Sequence, residues 1–339
     1  METPLFKIRE NGKYGFIDAQ GTVVIEPQYL EAEDFYHGFS RVRFNEKLVH
    51  LDPMGRLLLK HLFNFVGFFE ENLARVQLVN RWGYLDARGN LALDIQFDEA
   101  GDFSEGLAPV KKDGYYGFIS PEGEWRIRPQ FEGAREISSG LAPVLIGEKW
   151  GYIDQEGELS IVPEYSQAYP FQGEVAVVQE GPLWGLINRE GELLCEPQFE
   201  FQEGYAKGEF SEGMAIAVQD GLYGFVNQAG ELSVRPRFKA AGDFSHGLAP
   251  VELSGRFGYI DTSGELSILA RFEDAGIFAE GLAQVKNNGH WGYLDAQAEW
   301  RIPPKYELAL PFKNGLALVV LRGRWQYITK DGLVVWAEK

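Results

Sequence analysis

The chain has 339 residues, 45% apolar and 24% charged, with a formal net charge of −18 at pH 7. That apolar share supports an extensive core and excludes a disordered chain, and no run of about 18 apolar residues offers a membrane-spanning helix. The negative field repels nucleic acid and anionic membrane surfaces and steers positively charged partners in.

In chain order, the sequence opens with the alternating run Leu5-Phe6-Lys7-Ile8, read as a first strand. Tyr14-Gly15 then starts a series of an aromatic residue followed by glycine. The series continues at Trp82-Gly83, Tyr116-Gly117, Trp150-Gly151, Trp184-Gly185, Tyr223-Gly224, Phe257-Gly258 and Trp291-Gly292. Leu48-Val49 and Trp325-Gln326 are weaker frames of the same series, which makes ten units, numbered here by these signals. Each step is 34 residues except that from Trp184 to Tyr223, which is 39. Unit 2, near residues 39–71, is degenerate, and a five-residue insertion lies near 200–208. A fixed period of this size means one continuous array over residues 1–339.

Residues 107–137 show the unit. Leu107-Ala108-Pro109-Val110-Lys111, Tyr116-Gly117-Phe118-Ile119 and Glu124-Trp125-Arg126-Ile127-Arg128 are short apolar runs parted by the glycine-bearing turns Lys112-Asp113-Gly114 and Ser120-Pro121-Glu122-Gly123. Such runs predict a three-stranded antiparallel meander. The helical repeat of the same period is excluded, because 40 glycines and 16 prolines at recurring offsets interrupt every window a helix would need. The chain closes with Leu333-Val334-Val335-Trp336, which matches the third strand, so no unit is split between the two ends. The expectation is therefore an all-β, open β-superhelix or solenoid, with a closed propeller-like ring as the alternative.

The repeated positions have structural readings. The signal aromatic is expected to be buried between successive units, and its glycine to make room for a neighbouring unit's ring or backbone. Asp18, Asp52, Asp86, Ser120, Asp154, Asn188, Asn227, Asp261, Asp295 and Thr329 recur three residues after the aromatic as turn caps. Phe35, Phe69, Phe103, Phe171, Phe210, Phe244, Phe278 and Phe312, with Ile137 standing in once, are expected to plug the long connection onto the core. Pro27, Pro129, Pro163, Pro197, Pro236 and Pro304 are read as ending the third strand or marking a sheet edge.

Lys149-Trp150-Gly151-Tyr152-Ile153-Asp154, Ile127-Arg128-Pro129-Gln130-Phe131 and Phe103-Ser104-Glu105-Gly106-Leu107-Ala108-Pro109-Val110 resemble the bacterial WG (KWG) repeat family over the whole chain. The resemblance implies an all-β array and no common catalytic residues.

Function is sought where the units differ. In the strand Leu-Ala-x-Val-x the Ala and Val face is constant, while the x positions vary and carry Arg41, Arg43, Arg75 and Lys111 in the early units. This basic stripe is a candidate site for an acidic group; local pairing with Glu and Asp is the competing reading. The insertion, with Phe201, Tyr205 and Lys207, is the second candidate. His50 and His61 of unit 2 are the residues most like those of an enzyme, but no metal-ligand spacing, nucleophile elbow or phosphate loop is present. The single cysteine, Cys195, is expected to be a buried small hydrophobe, in a reducing compartment. The start of the chain lacks the apolar region of a secretion signal, so the expected location is the cytoplasm. The ranking is a non-catalytic protein-binding scaffold first, a glycan-binding array second and a hydrolase with a carboxylate pair third. No cofactor, metal or nucleic acid is expected.

Overall fold

The computed structural model describes residues 4–58, 63–200 and 208–339. The described residues form ten small antiparallel sheets and no helix. Unit 4 is typical. Its strands Ala108–Lys112, Tyr115–Ile119 and Trp125–Phe131 pair as a meander. The first hairpin turns on Asp113 and Gly114, with φ of 53° and 91°, and the same two-residue turn recurs at Asn11-Gly12 and Asn288-Gly289. Two successive left-handed residues match the twist of the flanking strands, which is why Asn, Asp and Gly occupy them. The second turn is capped as expected. Asp86 Oδ1 accepts from the Arg88 and Asn90 amides at 2.9 and 2.8 Å, and Asp154 and Asp261 do the same in their units.

Three details depart from the sequence reading. First, the glycine after the signal aromatic makes room within its own unit. A Cβ on Gly117 would overlap the Ile127 carbonyl and lie 2.7 Å from the Pro129 nitrogen. Second, that proline lies on the edge strand of its sheet, as one of the two readings had it, but does not end the strand: the ladder shifts register between Tyr116↔Phe131 and Phe118↔Ile127, and Pro129 sits in the bulge, where its missing N–H leaves no ladder bond unmade. Third, the signal aromatic is half-buried in most units and buried only as Trp150 and Trp184. In seven units the ring at the centre of the interface lies two residues later: Phe16, Tyr84, Phe118, Tyr152, Phe225, Tyr259 and Tyr293 are all fully buried. Alternation puts both rings on the same face of the sheet, and the later one is the more buried because the plug of the next unit packs on it.

The plug residues do what their regular spacing implies. Phe103 stands edge-on to Tyr84 at 4.9 Å, and Phe171 to Tyr152 and Phe278 to Tyr259 at 5.0 Å. Each buried tyrosine hydroxyl donates to a carbonyl of the next unit: Tyr84 to Gly101 at 2.7 Å, Tyr152 to Tyr169 at 2.8 Å, Tyr293 to Leu310 at 2.7 Å. The connection adds a short fourth strand that the three-strand reading missed, as where Glu99–Ala100 pairs with Lys111 and Val110. Two residues are too few to leave a period-two pattern. The constant Ala and Val face is buried, as Ala108 and Val110 show. Cys195 is buried too, and burial raises its thiol pKa.

The open array is corrected by contacts between the first and last units. Leu73, Tyr84 and Leu93 of unit 3 pack on Ala108, Val110 and Ile119 of unit 4. Leu316, Tyr327 and Trp336 of unit 10 pack in the same register on Phe6, Ile8 and Ile17 of unit 1. Tyr327 Oη donates to the Lys7 carbonyl at 2.9 Å, and Arg9 binds Glu338 at 3.1 and 3.3 Å. The series thus returns on itself through the repeat's own interface, with no split unit. Phe6 is the adaptation: every other unit has Ala or Ser at its position, and its ring meets Tyr327 at 5.5 Å and 62°, as a plug would.

Candidate functional site

The basic stripe does not form a free patch. Arg41 grips Glu33 with Nε and Nη2 at 2.6 and 2.8 Å, donates from Nη1 to the Val66 carbonyl at 2.9 Å, and lies over the Phe68 ring at 4.1 Å. Arg43 pairs with Glu31 at 2.7 Å. Arg75 Nε stands 3.0 Å from Asp102 without the alignment of a hydrogen bond, and its Nη1 donates to the Ala100 carbonyl at 3.1 Å. Burial raises the Asp102 carboxyl pKa more than Arg75 lowers it. Lys111 binds Glu99 at 2.8 Å, and Glu99 also accepts from the Tyr116 hydroxyl. All four cations therefore hold connection carboxylates, one of them, Asp102, from the next unit, and the stripe is largely neutralised where it stands. The insertion residues Phe201, Tyr205 and Lys207 lie outside the described residues, as does His61.

His50 takes the place of the interface tyrosine. It is buried, and its Nε2 donates to the Gly67 carbonyl at 2.6 Å, the bond that the Tyr84 hydroxyl makes to Gly101 in unit 3. That bond needs a proton on Nε2, which leaves Nδ1 bare and unpartnered in the neutral ring. Burial is the main cause that lowers its pKa to about 4, and the Arg41 charge adds to it. A neutral imidazole between Phe39 and Phe69 is a packing residue.

What the degenerate unit does produce is a pocket of about 1,080 Å³ between units 1, 2 and 3. The turns of the three units converge there: Asp18, then Asp52 to Arg56, then Ala87 and Arg88, with His37 and Asn72 from the plug loops. Leu5, Val24, Met54 and Leu57 supply apolar surface, and Met54 is 78% exposed. The two carboxylates are committed to their turns. Asp18 Oδ1 accepts from the Gln20 and Thr22 amides, while Asp52 accepts from the Met54 and Arg56 amides and from Arg56 Nε at 2.6 Å. The pocket thus combines apolar side chains with Arg88 and the Arg56–Asp52 pair, and both of its carboxylates accept from turn amides. Phe39 and the His37 imidazole are its aromatic lining residues among those described. No three His, Cys, Asp or Glu side chains among the described residues converge as a metal site. The failing frame at Leu48-Val49 was the sequence signal for this place; Met54, Leu57 and Arg88 carry no signal of their own.

A family model described as a WG containing repeat matches nine times, at residues 14–47, 51–80, 82–116, 116–150, 150–181, 184–223, 223–256, 257–290 and 291–325. No curated protein matches the sequence. Among solved structures, one described as the eukaryotic initiation factor matches 99% of this chain and 96% of its own, at 10% identity and a TM-score of 0.52, which shows a shared fold. PorZ, a surface component of the type-IX secretion system of Porphyromonas gingivalis, matches over 91% of this chain and 54% of its own, at 11% identity and a TM-score of 0.32. Kluyveromyces lactis Hsv2p matches over 72% and 97%, at 12% identity and a TM-score of 0.36. The last two overlay too loosely to carry an argument.

Proposed function

The chain belongs to the family built from WG containing repeats, and on that premise we propose that it is a non-catalytic scaffold that binds a protein partner at the pocket of units 1 to 3. The observation that carries this reading is the mixed lining of that pocket. Met54, Leu57 and Val24 offer apolar contact beside Arg88 and the Asp52-paired Arg56. A protein segment with apolar and acidic side chains meets both needs, since interfaces combine an apolar centre with a charged rim. The glycan alternative would want a row of exposed rings, and the hydrolase alternative two uncommitted carboxylates.

No described helix is long and apolar enough to cross a membrane. We place the protein in the cytoplasm on its single, buried cysteine, which fits a reducing compartment.

The test is affinity capture from native lysate with the intact chain and with Met54→Asp/Arg88→Glu. Both positions are exposed, so the variant should keep its melting temperature while losing one specific partner. Equal recovery of every captured protein by the two baits would end this reading.

A further inference from the structure

In eight of the ten units the connection lays an extended residue along the first strand and then inserts its plug. The pairs are Ala32↔Val42, Val66↔Val76, Ala100↔Val110, Ala134↔Val144, Ala168↔Val178, Ala241↔Val251, Ala275↔Val285 and Ala309↔Val319. In every case the plug follows three residues later, which gives an Ala-x-x-Phe pattern, with Val66 and Ile137 as its only variants in these eight. In unit 7 the equivalent segment lies outside the described residues. In unit 1 the strand Phe6–Glu10 pairs, among the described residues, only with Lys13–Ile17; on its other edge the Lys7 carbonyl accepts from Tyr327 Oη and no strand pairs beside Ile8.

A pocket of about 580 Å³ lies at this seam, floored by Phe6 and Tyr327 and flanked by the plugs of the adjoining interfaces, Phe35 and Phe312. Its wall is apolar. Leu308 and Leu310 are 43% and 41% exposed and stand where unit 9 has Asp274 and Gly276. Phe6 takes part of the room a plug would use, and these leucines extend the pocket outward.

We propose that the seam binds an extended segment of a partner protein, which pairs with the edge of Phe6–Glu10 and places a large apolar residue in this pocket. The protein's own connections display the ligand: Ala-x-x-Φ, with Φ large and apolar. They also set the residue before Φ, which contacts the variable strand position of the preceding unit. Asp102 meets Arg75 there, and Phe68 meets Arg41. At the seam that position is Leu318, a pocket residue, so the ligand has an apolar residue before Φ. Strand addition supplies affinity through backbone hydrogen bonds, and the two side chains supply choice.

The probe is a fluorescent peptide with the sequence of residues 273–281, Glu-Asp-Ala-Gly-Ile-Phe-Ala-Glu-Gly, titrated onto the intact chain at physiological salt. It should bind at least tenfold more tightly than the same peptide with Asp for Ile, and than the one with Ala for Phe, a difference of about 1.4 kcal/mol or more. Leu318→Arg should reverse the first preference, recreating the Arg75–Asp102 pair, and so cannot be mistaken for misfolding. Met54→Asp should leave peptide binding unchanged, which separates this site from the pocket of units 1 to 3. Absence of binding by all three peptides, or an unchanged preference in Leu318→Arg, would overturn the proposal. So would a mass that doubles with concentration and falls on adding peptide, since the seam would then belong to a second copy.

Discussion

His50→Tyr should remove an acid sensitivity that unit 2 alone carries among the described interfaces. In the folded protein burial lowers the His50 pKa to about 4, whereas the unfolded chain has the ordinary value near 6.5. Between these values the unfolded state binds the proton and the folded state does not, so stability rises with pH across this window and is lost as pH falls through it. Each pH step of one inside the window changes stability by about 1.4 kcal/mol, so the loss from pH 7 to pH 5 is about 2 kcal/mol, and it reaches about 3.4 kcal/mol below pH 4. Tyrosine suits the site because Tyr84 and Tyr293 make the equivalent bond against the same kind of plug. The assay is urea unfolding of both proteins at pH 7 and pH 5, read as a difference of differences, so that titration of the carboxylates cancels. His50→Tyr should lose about 2 kcal/mol less than the parent over that interval. Equal losses would show that His50 is protonated in the fold or not buried as described.

Phe6→Ala should cost about 3–5 kcal/mol at a single interface. Hydrogen exchange should then accelerate in Phe6–Glu10 and Val334–Ala337, while Ala142–Ile146 keeps its protection. Gly117→Ala sets a Cβ against the backbone of its own third strand and should cost about 3 kcal/mol. Gly106→Ala, with φ of 78° and open space around it, should cost about 1 kcal/mol, and thermal melts would compare the two. Arg41→Ala removes a bidentate pair, a carbonyl contact and a ring contact and should cost about 1–2 kcal/mol, whereas Arg43→Ala should leave the urea midpoint in place.

The candidate site was legible in the sequence only as a place. Failure of the repeat at Leu48-Val49 marked unit 2, but His50 there proved to be a substitute for tyrosine, and the pocket drew its lining from three units. The basic stripe was visible as residue types, but its neutralisation was not. Glu33, Glu99 and Asp102 lie in connections of variable sequence, and only the folded chain brings them to Arg41, Lys111 and Arg75.

The sequence by itself determined what depends on nearby residues and recurs from unit to unit. The two-residue hairpins, the Asp-capped turns, the buried Ala and Val face and the plugs all act over a few residues or from one unit to the next, so each recurrence confirmed the register. Tertiary structure decided what depends on the approach of distant backbone. Gly117 is needed because the bulge at Pro129 folds over it. Tyr84, not Trp82, is central to its interface because Phe103 presses there. The ring closes because Phe6 and Ile8 meet Tyr327 and Trp336 across nearly the whole length of the chain. Closure depends on the rotation summed over ten interfaces, and no local pattern of residues encodes that sum.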